Sequence, residues 1–134
     1  MTVMYSTRVR VEGGRDGHAK SDDGVLDVEL AMPGAEQPGS NPEQLFAAGY
    51  AACFASTAMM VARMMGHKLE DIPVTAEVSL NQENHSYSLG VRLVVEVPLH
   101  QSEAEKLVAE ADERCPYAKA TRNNVAVEFD IRGR

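Results

Sequence analysis

The sequence has no tryptophan, and aromatic residues make up only 5% of its 134 positions. A core must therefore come from Val, Leu, Ala and Met. There are only two cysteines, Cys53 and Cys115, and four isolated histidines at 18, 67, 85 and 100. No Cys-x-x-Cys or His-x-x-x-His spacing exists, so the pattern offers no metal site, and no cofactor is expected. Basic residues number 13 against 20 acidic ones, for a net charge of -7, and form no run. Counterion displacement from phosphates needs clustered Lys and Arg, which argues against nucleic acid and anionic membrane surfaces as partners. The first residues hold no apolar signal segment, so the cytoplasm is the expected location. The stretch from Leu45 to Ala62 is uncharged for 18 residues, but seven are alanine. That is too weakly apolar for a membrane span and better suited to a buried helix.

The length fits one domain, residues 1–134. Val3, Tyr5, Thr7, Val9 and Val11 alternate with polar neighbours and predict a strand. Gly13-Gly14-Arg15-Asp16-Gly17 predicts a turn, and Leu26, Val28 and Leu30 a further strand. Asn41, Pro42 and Gln44 supply a cap, a first helical residue and a capping-box partner for a helix to about Met65, stopped by Gly66. That helix is apolar nearly all round. Val74 to Leu80 and Leu89 to Val97 predict two strands, joined through Asn81–His85. Ser102 with Glu105 predicts a capping box for a helix to about Cys115, where Pro116 bends or ends it. Val125 to Arg132 predicts a last strand. The order implies an α+β fold of antiparallel sheets around a central helix. One small sheet cannot cover such a helix on both sides, so a homodimer sharing it is expected.

Four roles are open to the thiols. A cysteine among small apolar residues is often a buried hydrophobe. Cys115, flanked by Glu113, Arg114, Tyr117 and Lys119, is not a core position by pattern. A structural disulfide is disfavoured in a reducing cytosol. A zinc site lacks further ligands. Redox catalysis is the fourth: a thiolate attacks a peroxide, and a second thiol condenses with the sulfenic acid. That chemistry needs a group to favour the thiolate, and an arginine held by a carboxylate serves. On pattern alone Arg15 is a solvated turn charge and Glu43 a partner of the helix dipole. Met59, Met60, Met64 and Met65 read as core or pocket lining.

NPEQLFAAGYAACF (Asn41–Phe54), CPYAKATRNN (Cys115–Asn124) and GGRDG (Gly13–Gly17) together resemble the organic hydroperoxide resistance proteins of the OsmC-like superfamily. The resemblance runs along essentially the whole chain. It implies an intertwined homodimer and a thiol peroxidase acting on organic hydroperoxides. It implies Cys53 as the peroxidatic thiol and Cys115 as the resolving one. Arg15 is implied to hold the thiolate and Glu43 to orient Arg15. The implied reductant is a dithiol, a dihydrolipoyl group on a lipoylated protein.

Geometry adds a constraint. Glu43 and Cys53 are ten residues apart on one helix, about 15 Å of rise. If Glu43 acts near Cys53 through an arginine, it must act on the Cys53 of another chain, unless the helix bends sharply, which no interior proline favours. The rival to the enzyme is a non-catalytic module of the same fold that binds an apolar ligand. A redox sensor ranks below both.

Overall fold

The computed structural model describes all residues, Met1–Arg134, as two compact units, Met1–Leu45 and Phe46–Arg134. In the first unit, β1 (Val9–Glu12), β2 (His18–Ser21) and β3 (Asp27–Glu29) form an antiparallel sheet in that order. Val9 lies opposite Ser21 and Glu12 opposite His18; His18 also faces Glu29. The strand expected from Val3 shrinks to Val9–Glu12. β2 ends at Ser21, where the chain turns away, and the pairing closes with one further bond, from the Asp22 amide to Arg8 O at 3.0 Å. β2 itself was not foreseen, because HAKS carries one small apolar residue, Ala19, and no alternation.

The β1–β2 connection holds a single 3-10 turn, Gly14–Asp16, entered through Gly13 at φ 82°. Gly17 is required by a close approach: a Cβ there would stand 1.6 Å from the Glu12 carbonyl oxygen. The turn therefore presents Arg15 on a backbone that few other sequences can trace.

Helix α1 (Pro42–Met64) begins at the end of the first unit. Its start is as expected: Asn41 Oδ1 accepts from the Gln44 amide at 2.8 Å. Its end is also as expected, with Gly66 at φ 87° and the His67 amide returning to Ala62 O at 2.9 Å.

In the second unit, β4 (Val74–Glu83), β5 (Ser86–Glu96) and β6 (Ala126–Arg132) form a sheet in that order. The β4–β5 ladder runs to Glu83↔Ser86, leaving only Asn84 and His85 in the turn. The expected five-residue connection is thus mostly strand; Asn84 at φ 48° supplies the tight reversal. β5 and β6 pair in parallel. Alternating apolar residues mark a strand but not its direction. Between β5 and β6 lie α2 (Gln101–Arg114) and α3 (Pro116–Thr121), the crossover that a parallel pair needs.

One face of this sheet carries Val91, Leu93 and Val95 into a core with Tyr50, Phe54, Ala58 and Val61 of α1 and Leu107, Val108 and Ala111 of α2. Each large side chain so buried contributes about 1.5–3 kcal/mol. The other face bears Arg92, which bonds Glu77 at 2.7 Å and Asp130 at 2.6 Å. Not all of α1 is covered: Ala48, Ala52, Ser56 and Met60 are exposed at a spacing of four. Of the four methionines expected in a core or pocket, only Met59 packs there, while Met60, Met64 and Met65 are exposed. They follow the uncovered side and the end of the helix.

The capping box expected at Ser102 does not form. Helix α2 starts two residues earlier, at Gln101, with His100 as cap accepting from the Ser102 amide. Gln101 is used elsewhere: its Nε2 donates to Ile131 O at 2.8 Å and its Oε1 accepts from the Gly133 amide at 2.7 Å, tying the helix start to the end of β6.

Candidate active site

The four residues singled out in the sequence meet as two pairs, one in each unit. In the first unit, Arg15 Nη1 donates to Glu43 Oε1 at 2.7 Å, and Nη2 to Oε2 at 3.1 Å. This is the forked guanidinium–carboxylate geometry, which fixes the plane of the Arg head as well as its distance. The arginine comes from the glycine-framed turn and the glutamate from the first turn of α1, so both ends are held by short-range structure. The Glu43 hydrogen bond is the main cause raising the Arg15 pKa above its already high ordinary value. The guanidinium is permanently charged. Arg15 keeps 38% of its side chain exposed against 18% for Glu43, so the cation is open to a further anionic group.

In the second unit, the Cys115 thiol lies 3.7 Å from Cys53 Sγ, sulfur to sulfur, across 62 residues of sequence. Both are free thiols, Cys53 half-buried and Cys115 buried. A disulfide bond is about 2.05 Å long, so closure needs an approach of under about 2 Å. Cys115 was not expected in the core, yet it is fully buried there. The reason is Pro116, which holds Cys115 extended at φ -68°, ψ 125° between α2 and α3. The chain breaks direction there, and the side chain turns inward with Ala111 and Ala118 instead of continuing along the polar face of α2. Burial pushes the Cys115 thiol pKa up, with Cys53 adding to the rise, while the amides of Ala118 and Tyr117 pull the other way. Cys115 is thus kept protonated beside the more accessible Cys53.

Two aromatic rings on this side of α1, Tyr50 and Tyr117, were given no role by the sequence; Phe46 was expected to line a pocket with the methionines. Phe46, Tyr50 and Tyr117 pack with centroids 5.6–6.1 Å apart. Tyr50 is fully buried, and its hydroxyl lies 3.1 Å from Thr121 Oγ1. Burial raises the Tyr50 pKa, so its proton stays in place. The available signal was a glycine, Gly49, in the middle of a helix.

Fold and site together define an α+β protein with a closely held dithiol and a separate forked Arg–Glu pair. The OsmC-like protein family model matches residues 34–130. Organic hydroperoxide resistance protein OhrB of Bacillus subtilis is 44% identical, over 97% of this chain and 99% of its own length. The crystal structure of that OhrB superposes with a TM-score of 0.90, at 43% identity over 98% of this chain and 100% of that one. An organic hydroperoxide resistance protein from Legionella pneumophila gives a TM-score of 0.92 at 46% identity, covering 98% and 99%. One from Vibrio cholerae, with captopril bound in one of its active sites, gives 0.92 at 36% identity, covering 96% and 92%. The chain belongs to the organic hydroperoxide resistance family of the OsmC-like superfamily.

Proposed function

We propose that the protein protects against organic hydroperoxides by reducing them to alcohols in a two-thiol cycle. The Cys53 thiolate attacks the distal peroxide oxygen. The O–O bond breaks, its electron pair leaves with the alkoxide, and protonation gives the alcohol. Cys53 is left as a sulfenic acid. The Cys115 thiol then attacks that sulfur; the S–O bond breaks, water leaves, and a Cys53–Cys115 disulfide remains. An external dithiol, of the dihydrolipoyl type on a lipoylated protein, reopens it by exchange. The observation that carries this function is the 3.7 Å sulfur–sulfur distance. A thiol kept protonated by burial suits the second, resolving role, and the more accessible member of the pair, Cys53, suits the first.

Arg15 and Glu43 complete the site in a homodimer. They are already forked together within one chain, and they serve the Cys53 of the partner. The ten-residue separation of Glu43 and Cys53 along α1 supports this arrangement, as does the uncovered stripe of Ala48, Ala52, Ser56 and Met60. The plural active sites of the Vibrio cholerae relative accord with it. The cytoplasm is the location in which a dithiol cycle of this kind stays reducible.

The test is a thiol count. Reduced protein treated with an organic hydroperoxide, without reductant, is expected to lose two free thiols per chain and release one alcohol. An apolar-ligand-binding module would lose none, and that outcome would end the proposal.

A further inference from the structure

Glycine inside a helix costs about 1 kcal/mol relative to alanine, so Gly49, seven residues into α1, calls for a reason. The space a side chain would use is taken. A Cβ on Gly49 would stand 2.5 Å from the Tyr117 hydroxyl oxygen and 3.0 Å from Tyr117 Cζ. Tyr117 is in the first turn of α3, two residues after Cys115. At the other end of α3, Thr121 Oγ1 lies 3.1 Å from the Tyr117 and Ala118 carbonyl oxygens and 3.1 Å from the Tyr50 hydroxyl. The single Thr121 proton goes back to its own helix, so the Tyr50 phenol donates to Thr121. The six-residue α3 is thus held on α1 at both ends. Gly49 and Tyr50 stand four and three residues before Cys53, on the same face of α1.

We propose that Gly49 and Tyr117 are positioning residues: a ring seated on a side-chain-free patch of α1, with the Tyr50–Thr121 bond behind it, holds Cys115 against Cys53 for disulfide closure. This rests on the peroxidase function proposed above. The Cys53 sulfenic acid has two fates. With Cys115, the S–S bond forms, the S–O bond breaks, and water carries off the hydroxyl and the Cys115 proton. With a second hydroperoxide, the distal oxygen transfers to sulfur, the O–O bond breaks, and sulfinic acid and alcohol result. The seat raises the first rate and leaves the second alone, so the ratio of products reads it out.

The experiment treats the reduced full chain with cumene hydroperoxide, without reductant, and measures disulfide and Cys53 sulfinic acid by mass spectrometry. Gly49→Ala displaces the partly exposed Tyr117 ring and is expected to raise the sulfinic-to-disulfide ratio by about tenfold or more, since small misplacements of reacting groups have effects of that order. Tyr117→Leu, which leaves α1 unchanged, is expected to do the same. Adding Tyr117→Phe to Gly49→Ala removes the nearest atom and is expected to bring the ratio back toward wild type. Cys115→Ser sets the upper limit. Wild-type ratios in both Gly49→Ala and Tyr117→Leu would overturn the seat while leaving the peroxidase intact, and so would a Gly49→Ala defect that Tyr117→Phe does not correct. A wild-type chain that loses no thiols would overturn the peroxidase function and the seat with it.

Discussion

The two pairs of the site are built on opposite principles. Cys53 and Cys115 meet inside a hydrophobic core, carried by helices whose positions are set by the packing of Phe54, Leu107 and Ala111. Arg15 and Glu43 meet at a partly exposed turn, set by backbone geometry at Gly13 and Gly17 and by two charge-assisted hydrogen bonds. In the proposed cycle the thiol pair carries the bond-making, with stoichiometric chemistry, and the ion pair makes no covalent bond and acts through charge and direction. Losing a sulfur should therefore be absolute, while losing the cation should be graded.

Cys53→Ser gives the largest expected effect. Peroxide consumption with dihydrolipoamide as reductant should fall to background, because no other nucleophile stands in its place. A variant with full activity would dissolve the distinction between the two pairs. Arg15→Ala should lower activity by about 10²–10³-fold, the range typical for removing one preorganised electrostatic group. Arg15→Lys should recover only part of this, since an ammonium cannot make the fork. Equal losses in Arg15→Ala and Cys53→Ser would show that the cation is as indispensable as the sulfur.

How much of this was legible beforehand follows the same division. The α1 start at Asn41-Pro42, its stop at Gly66, the alternation of β4 and β5, and the break at Pro116 are local signals, and they hold. β2 was hidden because it is held by register with β1 and β3, not by its own composition. The parallel β5–β6 pair was hidden because alternation carries no direction. The candidate site was named largely through motif resemblance; geometry alone required only that Glu43 and Cys53 be far apart. Burial of Cys115 was illegible because polar neighbours describe the helix face before Pro116 and not the turn after it. The Gly49–Tyr117 contact joins residues 68 apart, which no local pattern records.

Gly17→Ala separates the two regions by fold. Its Cβ would collide with the Glu12 carbonyl, so the turn must open, at a local strain of roughly 1–3 kcal/mol. Activity should fall nearly as far as in Arg15→Ala. Diamide also reacts through the thiolate, so its oxidation of the two thiols should slow in Gly17→Ala no more than in Arg15→Ala. A larger slowing in Gly17→Ala would mean that the turn also shapes the thiol pair.

The thiol pair has a pH signature of its own. The Cys115 pKa is raised, chiefly by burial, so the folded state holds that proton at a pH where the unfolded chain has released it. Stability is fully present below the ordinary thiol pKa of about 8.5 and is lost as pH rises toward the folded value. Denaturant midpoints of the reduced protein between neutral and alkaline pH should show this fall, and Cys115→Ser should flatten it. An unchanged slope in Cys115→Ser would place the alkaline loss elsewhere.

The smallest effect belongs to the first unit. His18 lies in β2 with Nδ1 2.7 Å from Glu29 Oε1 and Nε2 2.5 Å from Asp27 Oδ1, both on β3. Each ring nitrogen faces a carboxylate, so the doubly protonated imidazolium donates to both and staples the two strands. The Glu29 hydrogen bond is the largest cause raising the His18 pKa, with Asp27 adding and desolvation opposing. A raised histidine contributes stability that is fully present below the ordinary value of about 6.5 and is lost as pH rises through the folded value. The ring is well exposed, so solvent screening keeps the gain small. It should appear as local opening rather than global unfolding. Hydrogen exchange at the Leu30 amide, bonded to Gly17 O next to His18, should lose protection as pH rises, after correction for intrinsic rates. His18→Gln should remove that dependence, and the Leu93 amide in the second unit should not sense it. A pH dependence that survives His18→Gln would mean that another titrating group controls the β2–β3 opening and that the imidazolium is not the staple.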